Sequence, residues 1–71
     1  MRVSFDEVFE TRPNGAITPR GTVRIGGVTM GPGVSFTRGV VFSGVDIANY
    51  EGHDLEVEQQ ADGTVAINGV Y

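Results

Sequence analysis

Apolar and polar residues alternate with a period of two along short stretches of the chain, and glycine and proline break the stretches apart. That pattern predicts strands joined by tight turns. It is clearest from Asp54 to Gln60, where Leu55 and Val57 alternate with Asp54, Glu56 and Glu58, giving one apolar and one acidic face. Ala61-Asp62-Gly63-Thr64 then leads into Val65-Ala66-Ile67. The Asp-Gly pair suits a tight reversal because glycine accepts positive φ without steric cost, so a hairpin is expected here. Beyond Asn68-Gly69 stand Val70 and Tyr71, for which a bulge or a short terminal bridge fits better than a further strand.

Elsewhere the apolar parity shifts at glycine. Val23 and Ile25 are odd, Val28 and Met30 even, with Gly26-Gly27 between them. A two-residue hairpin or a bulge restores all four to one face. Val34 and Phe36 suggest another strand after Gly31-Pro32-Gly33, and the change from Val40 and Phe42 to Val45 and Ile47 at Ser43-Gly44 suggests a bent or bulged one. At the start, Val3 and Phe5 alternate like a strand, but Ser4-Phe5-Asp6-Glu7 has the form of a capping box with Val8 and Phe9 behind it. An extended start or one short helical turn is expected, limited by Pro13. The fold class is therefore all-β: residues 1 to 71 form a single domain, a small antiparallel barrel or compact sandwich of five to seven short strands in mainly meandering order.

Composition adds a constraint of size. A chain of 71 residues with 39% hydrophobic and 20% charged positions is an ordinary globular composition, but it buries one small core at most. With no cysteine and a single histidine, neither a disulfide nor a structural zinc reinforces it, which leaves assembly with other copies as the common remedy. No stretch reaches the length of a membrane span and no apolar leader follows Met1, so a cytoplasmic protein is expected.

The formal net charge of −4 counts against nucleic acid and anionic lipid as partners. All five basic residues are arginine, a usage that a GC-rich bacterial gene produces through codon bias. Residues 1 to 44 hold all five arginines and three acids, while residues 45 to 71 hold six acids and no base. Two segments of opposite sign can guide one copy onto another.

Asp46-Ile47-Ala48-Asn49-Tyr50-Glu51-Gly52, leading to Leu55, resembles the Asp-Leu-Ser-x-Tyr-x-Gly turn that precedes a strand in many jelly-roll domains, including carbohydrate-binding modules. Asp46, Tyr50 and Gly52 match; Ile47 and Ala48 depart. The resemblance implies a structural turn in which Asp46 caps a short 3₁₀ segment, Ile47 and Tyr50 point to the core and Gly52 takes a left-handed conformation. It implies no sugar binding, and no family is assigned.

Candidate chemistry is sparse. His53, close to Asp46, Glu51 and Asp54, marks the only place where a general base or metal ligand could be assembled from nearby residues; strand geometry sends adjacent side chains to opposite faces, so a solvated loop histidine is the plainer reading. No serine lies in a nucleophile elbow, and without lysine neither glycine cluster is a phosphate loop. No catalytic, cofactor or metal residue is assigned. Arg24 and Arg38, near Phe36 and Phe42, could form a stacking platform for single-stranded nucleic acid, but the parity of both rings matches the core. The row Asp54, Glu56 and Glu58 reads as an edge strand guarded by charge, or as a surface that meets arginines of another copy or of a protein partner.

The leading expectation is thus a small non-catalytic binding or assembly module acting as a homo-oligomer, with Tyr71 held against its own core or a neighbouring subunit. Two alternatives stand beside it. One is a minimal enzyme or small-ligand protein with an intersubunit site near His53; the other is a nucleic-acid-binding barrel using Arg12, Arg20, Arg24 and Arg38.

Overall fold

Nine short strands, one helical turn and one 3₁₀ turn make up the computed structural model, which describes residues 1 to 71. In chain order they are β1 (Arg2–Ser4), α1 (Phe5–Val8), β2 (Phe9–Thr11), β3 (Ile17–Pro19), β4 (Val23–Ile25), β5 (Val28–Met30), β6 (Val41–Phe42), β7 (Val45–Asp46), the 3₁₀ turn (Ile47–Tyr50), β8 (Asp54–Gln59) and β9 (Val65–Val70). The protein is all-β, as the alternation predicts. There are more and shorter strands than expected because both parity breaks are complete chain reversals.

At Gly26-Gly27, Ile25 pairs with Val28, so this is a two-residue hairpin. Gly26 alone has positive φ, the pattern of a type II′ turn. Ser43 and Gly44 both have positive φ, at 51° and 80°, and Phe42 pairs with Val45 across them. The expected bent strand is instead a type I′ hairpin.

Five strands form the main sheet in the order β1-β8-β9-β4-β5, with β2–β3 and β6–β7 as separate two-stranded ribbons. The sheet does not close into a barrel. Nor is it a simple antiparallel meander, since β4 and β9 pair in parallel, with Val23 opposite Val65 and Ile25 opposite Ile67. A parallel pair needs a long crossover, and residues 26 to 64 supply it. This register gathers Val23, Ile25 and Ile67 on one face, where they join Leu55 and Val57 of β8 in the core.

Met30 of β5 lies in the same cluster, and Phe5, Val8, Phe9, Ile17, Phe36, Ile47 and Ala48 complete it. Four rings form a continuous row: Phe5 stacks on Phe9 at 4.9 Å, Phe9 meets Phe36 at 6.2 Å, and Phe36 meets Phe42 edge-on at 4.9 Å. The N-terminus is both alternatives in succession, a strand and then a single turn. Glu7 accepts the Ser4 backbone N–H at 2.9 Å, which is its half of the capping box.

The expected Val34–Phe36 strand is absent. Phe36 makes only one bridge, to Ile17, and Val34 is exposed. The buried Thr18 hydroxyl lies 2.9 and 2.7 Å from the carbonyl oxygens of Pro32 and Val34, so a side chain, not a ladder, fastens this segment. The β8–β9 hairpin forms as expected, with Gly63 at φ 88°. Its register shifts so that Glu56 faces Gly69 while Val57 faces Ile67, making Asn68 the extra residue of a bulge.

Candidate functional site

Polar side chains gather in two places. The first is the outer face of the main sheet. Asp54, Glu56 and Glu58 lie on β8, but β8 runs between β1 and β9, so the acidic row belongs to an interior strand and guards no edge. Arg2 stands opposite Glu56 and reaches Asp54, with Nε donating to Oδ2 at 2.8 Å. Its guanidinium also lies 4.1 Å from the centre of the Tyr71 ring. The Tyr71 hydroxyl and the N-terminal ammonium both donate to Glu56. For Asp54 and Glu56 the positive charge is thus supplied within the chain.

These contacts shift acidities. The ammonium, and after it the Tyr71 hydroxyl, hold the Glu56 carboxyl below its ordinary range. The same hydrogen bond to Glu56 pushes the Tyr71 phenol up. Farther along the face, Glu58, Ala66, Arg24 and Thr29 form one cross-strand row.

His53 is exposed, with Nδ1 2.9 Å from the Tyr71 carbonyl oxygen. The carboxylates near it in sequence turn elsewhere. Asp46 accepts from the Ala48 N–H at 3.2 Å and the Gly39 N–H at 3.0 Å, so it caps the 3₁₀ turn and ties down the preceding loop. Ile47 is fully buried, Tyr50 is half-buried and Gly52 has φ 85°, which is the structural turn that the local resemblance implied. Glu51 faces Arg38, and Asp54 faces Arg2. No three His, Asp or Glu side chains converge as a metal site.

The second place is a shallow pocket of about 360 Å³. Thr11, Asn14 and Gly15 come from the tip of the β2–β3 hairpin, Thr37 and Arg38 from the loop after Phe36, and Ala48 and Glu51 from the 3₁₀ turn and its C-terminal end, with Ile17 as a further apolar contact. Arg38 donates Nη1 to the Asn49 side chain at 2.9 Å, while its Nη2 is 3.9 Å from the Glu51 carboxylate, beyond hydrogen-bond reach. Asn14 turns its oxygen to the Ala16 N–H at 3.0 Å, leaving its NH₂ free. Sequence reading finds Arg38 and Glu51 but misses Thr11, Asn14 and Thr37, which carry no local signal for a site.

The arginines do not form one basic surface. Arg20 donates to the Asp6 carbonyl beside α1, Arg38 lies at the pocket, Arg24 on the sheet, and Arg12 is exposed at the end of β2. Phe36 is buried and Phe42 packs against it, so neither ring is free as a stacking platform. No helix is long and apolar enough to cross a membrane. Comparison with protein-family models, with curated proteins and with solved structures finds no match.

Proposed function

We propose that the protein is a small non-catalytic assembly module that works as a homo-oligomer, joined through the free edge of β5. The observation that carries this reading is the contrast between the two edges of the main sheet. At β1, Arg2 places a charge on the edge strand, Glu7 occupies the Ser4 N–H, and α1 follows at once. At β5, Val28, Thr29 and Met30 carry no charge, proline or bulge, and no loop backbone bonds to them. In a two-residue hairpin the closing pair, Ile25 and Val28, exchanges both backbone bonds, so the N–H and C=O of Thr29 point away from β4. Such an edge is a template for another strand.

A second copy supplies the same edge in return, and antiparallel β5–β5 pairing about a two-fold axis closes the assembly as a dimer. Ser43 holds the β6–β7 hairpin against the β4–β5 turn through the Gly27 N–H at 3.3 Å. A bacterial or phage origin and a cytoplasmic site of action are part of this proposal, the origin on the arginine-only basic composition.

Two substitutions test the edge. Thr29→Pro removes the outward N–H, and Thr29→Lys places a charge there, while neither takes a bond from the β4–β5 ladder. Both variants are expected to stay folded by circular dichroism and to sediment as monomers under conditions where the native chain is a dimer. A folded Thr29→Pro variant that keeps the dimer would overturn the reading.

A further inference from the structure

The pocket between the β2–β3 tip and the 3₁₀ turn has a chemistry that assembly through β5 does not use. Its two charges are opposite in sign and close together, yet Arg38 Nη2 and Glu51 are 3.9 Å apart and share no hydrogen bond. The Glu51 carboxylate accepts none at all, and Arg38 is steadied by Asn49 alone. Around them stand the free Asn14 NH₂ and the hydroxyls of Thr11 and Thr37, neither of which has a hydrogen-bond partner in the protein.

We infer that this pocket binds a small zwitterion, a free α-amino acid with a short polar side chain. Its carboxylate lies on the Arg38 guanidinium, its ammonium on Glu51, and its side-chain hydroxyl among Thr11, Asn14 and Thr37. An anion alone would meet Glu51 as a like charge, and a cation alone would meet Arg38; only a ligand carrying both poles satisfies both groups. The volume of about 360 Å³ is at the small end for ligand sites and leaves room for a molecule of this size with bound water. Both charged side chains are more than two-fifths exposed, so binding is weak, with Kd about 1 mM.

The test is a titration of the ¹⁵N-labelled protein with L-serine, followed by amide chemical shifts, with N-acetyl-L-serine and L-serinamide as single-charge controls. L-Serine is expected to move the amides of Gly15, Thr37, Arg38 and Glu51 in a saturable way, and each control to bind at least about fivefold more weakly. Arg38→Gln and Glu51→Gln are each expected to weaken L-serine by a similar factor while leaving the rest of the spectrum in place. Saturation by N-acetyl-L-serine as strong as by L-serine would show a simple anion site and overturn the proposal. So would the absence of saturable shifts, or an Arg38→Gln or Glu51→Gln variant that binds as the native chain does. None of these outcomes depends on β5, because the Thr29→Lys monomer carries the same pocket.

Discussion

Two glycines that share a positive φ are not equivalent. Gly63 has φ 88° and open space where a Cβ would stand, so Gly63→Val is expected to cost only the left-handed backbone penalty, about 1 to 2 kcal/mol. Gly26 also has positive φ, but a Cβ there would lie 2.8 Å from the Ser43 Cβ. Gly26→Val adds overpacking and the loss of the Ser43 contact, and is expected to cost about 3 kcal/mol or more. Urea denaturation of the two variants checks the order, and equal losses would contradict it. The Gly63 turn was legible from Asp62-Gly63 alone, whereas the demand on Gly26 depends on a serine that lies far along the chain. Charge at this scale makes a pH prediction. Glu56, lowered by the ammonium and then by Tyr71, and Asp62, lowered by the Thr64 backbone N–H and then its hydroxyl, stabilise the fold above their ordinary values of 4.5 and 3.8. That contribution is lost as pH falls through their lowered folded values. Tyr71 is raised above 10.0 by Glu56, so its contribution is complete below pH 10 and lost as pH rises through the raised value. In urea midpoints measured against pH, Tyr71→Phe is expected to flatten the alkaline fall and leave the Asp62 part of the acid fall. An unchanged alkaline fall would contradict the Tyr71–Glu56 assignment.

Among elements, what could be read was whatever depended on local pattern. The β8–β9 hairpin, the Asn68 bulge, the β4–β5 hairpin and the 3₁₀ turn at Ile47 all follow from parity, turn residues and a capping Asp46. What could not be read was pairing between distant segments. The parallel β4–β9 ladder places β8 inside the sheet, and that placement changes Asp54, Glu56 and Glu58 from an edge guard into a solvent face with its own Arg2. Val34 failed as a strand residue because the Thr18 hydroxyl holds the carbonyls a ladder would have used. The pocket was hidden for the same reason, since its residues come from three separated segments. The row of four phenylalanines joins these segments, and Phe36 is one of its two inner members. Phe36 is 5% exposed and touches both Phe9 and Phe42, so Phe36→Ala is expected to cost about 3 to 5 kcal/mol. Phe42 is only half-buried and ends the row, and Phe42→Ala is expected to cost roughly half as much. Calorimetric unfolding of both variants checks this, and a greater loss at Phe42 would contradict the packing described.

At the scale of the whole molecule, the radius of gyration is 11.0 Å, close to the roughly 11 Å expected for a compact chain of this length. No buried side-chain polar atom lacks a hydrogen-bond partner. The single chain thus satisfies its own buried polar side chains, and the proposed partner copy would add to the sheet without completing the core. A ladder between strands of three residues is a small contact, so the assembly is expected to be a dimer that separates on dilution into folded chains. Small size and two segments of opposite charge suggest a partner from the sequence, but the proposed place of contact is not legible there, because which strand lies at the sheet edge is decided by the parallel pair. The most direct test is the mass of the native chain by light scattering across a dilution series. Pairing through β5 is expected to give twice the 7.5 kDa chain mass at about 500 µM, falling to the single-chain mass at about 1 µM with an unchanged circular dichroism spectrum. A particle of 7.5 kDa at every concentration would contradict assembly through β5.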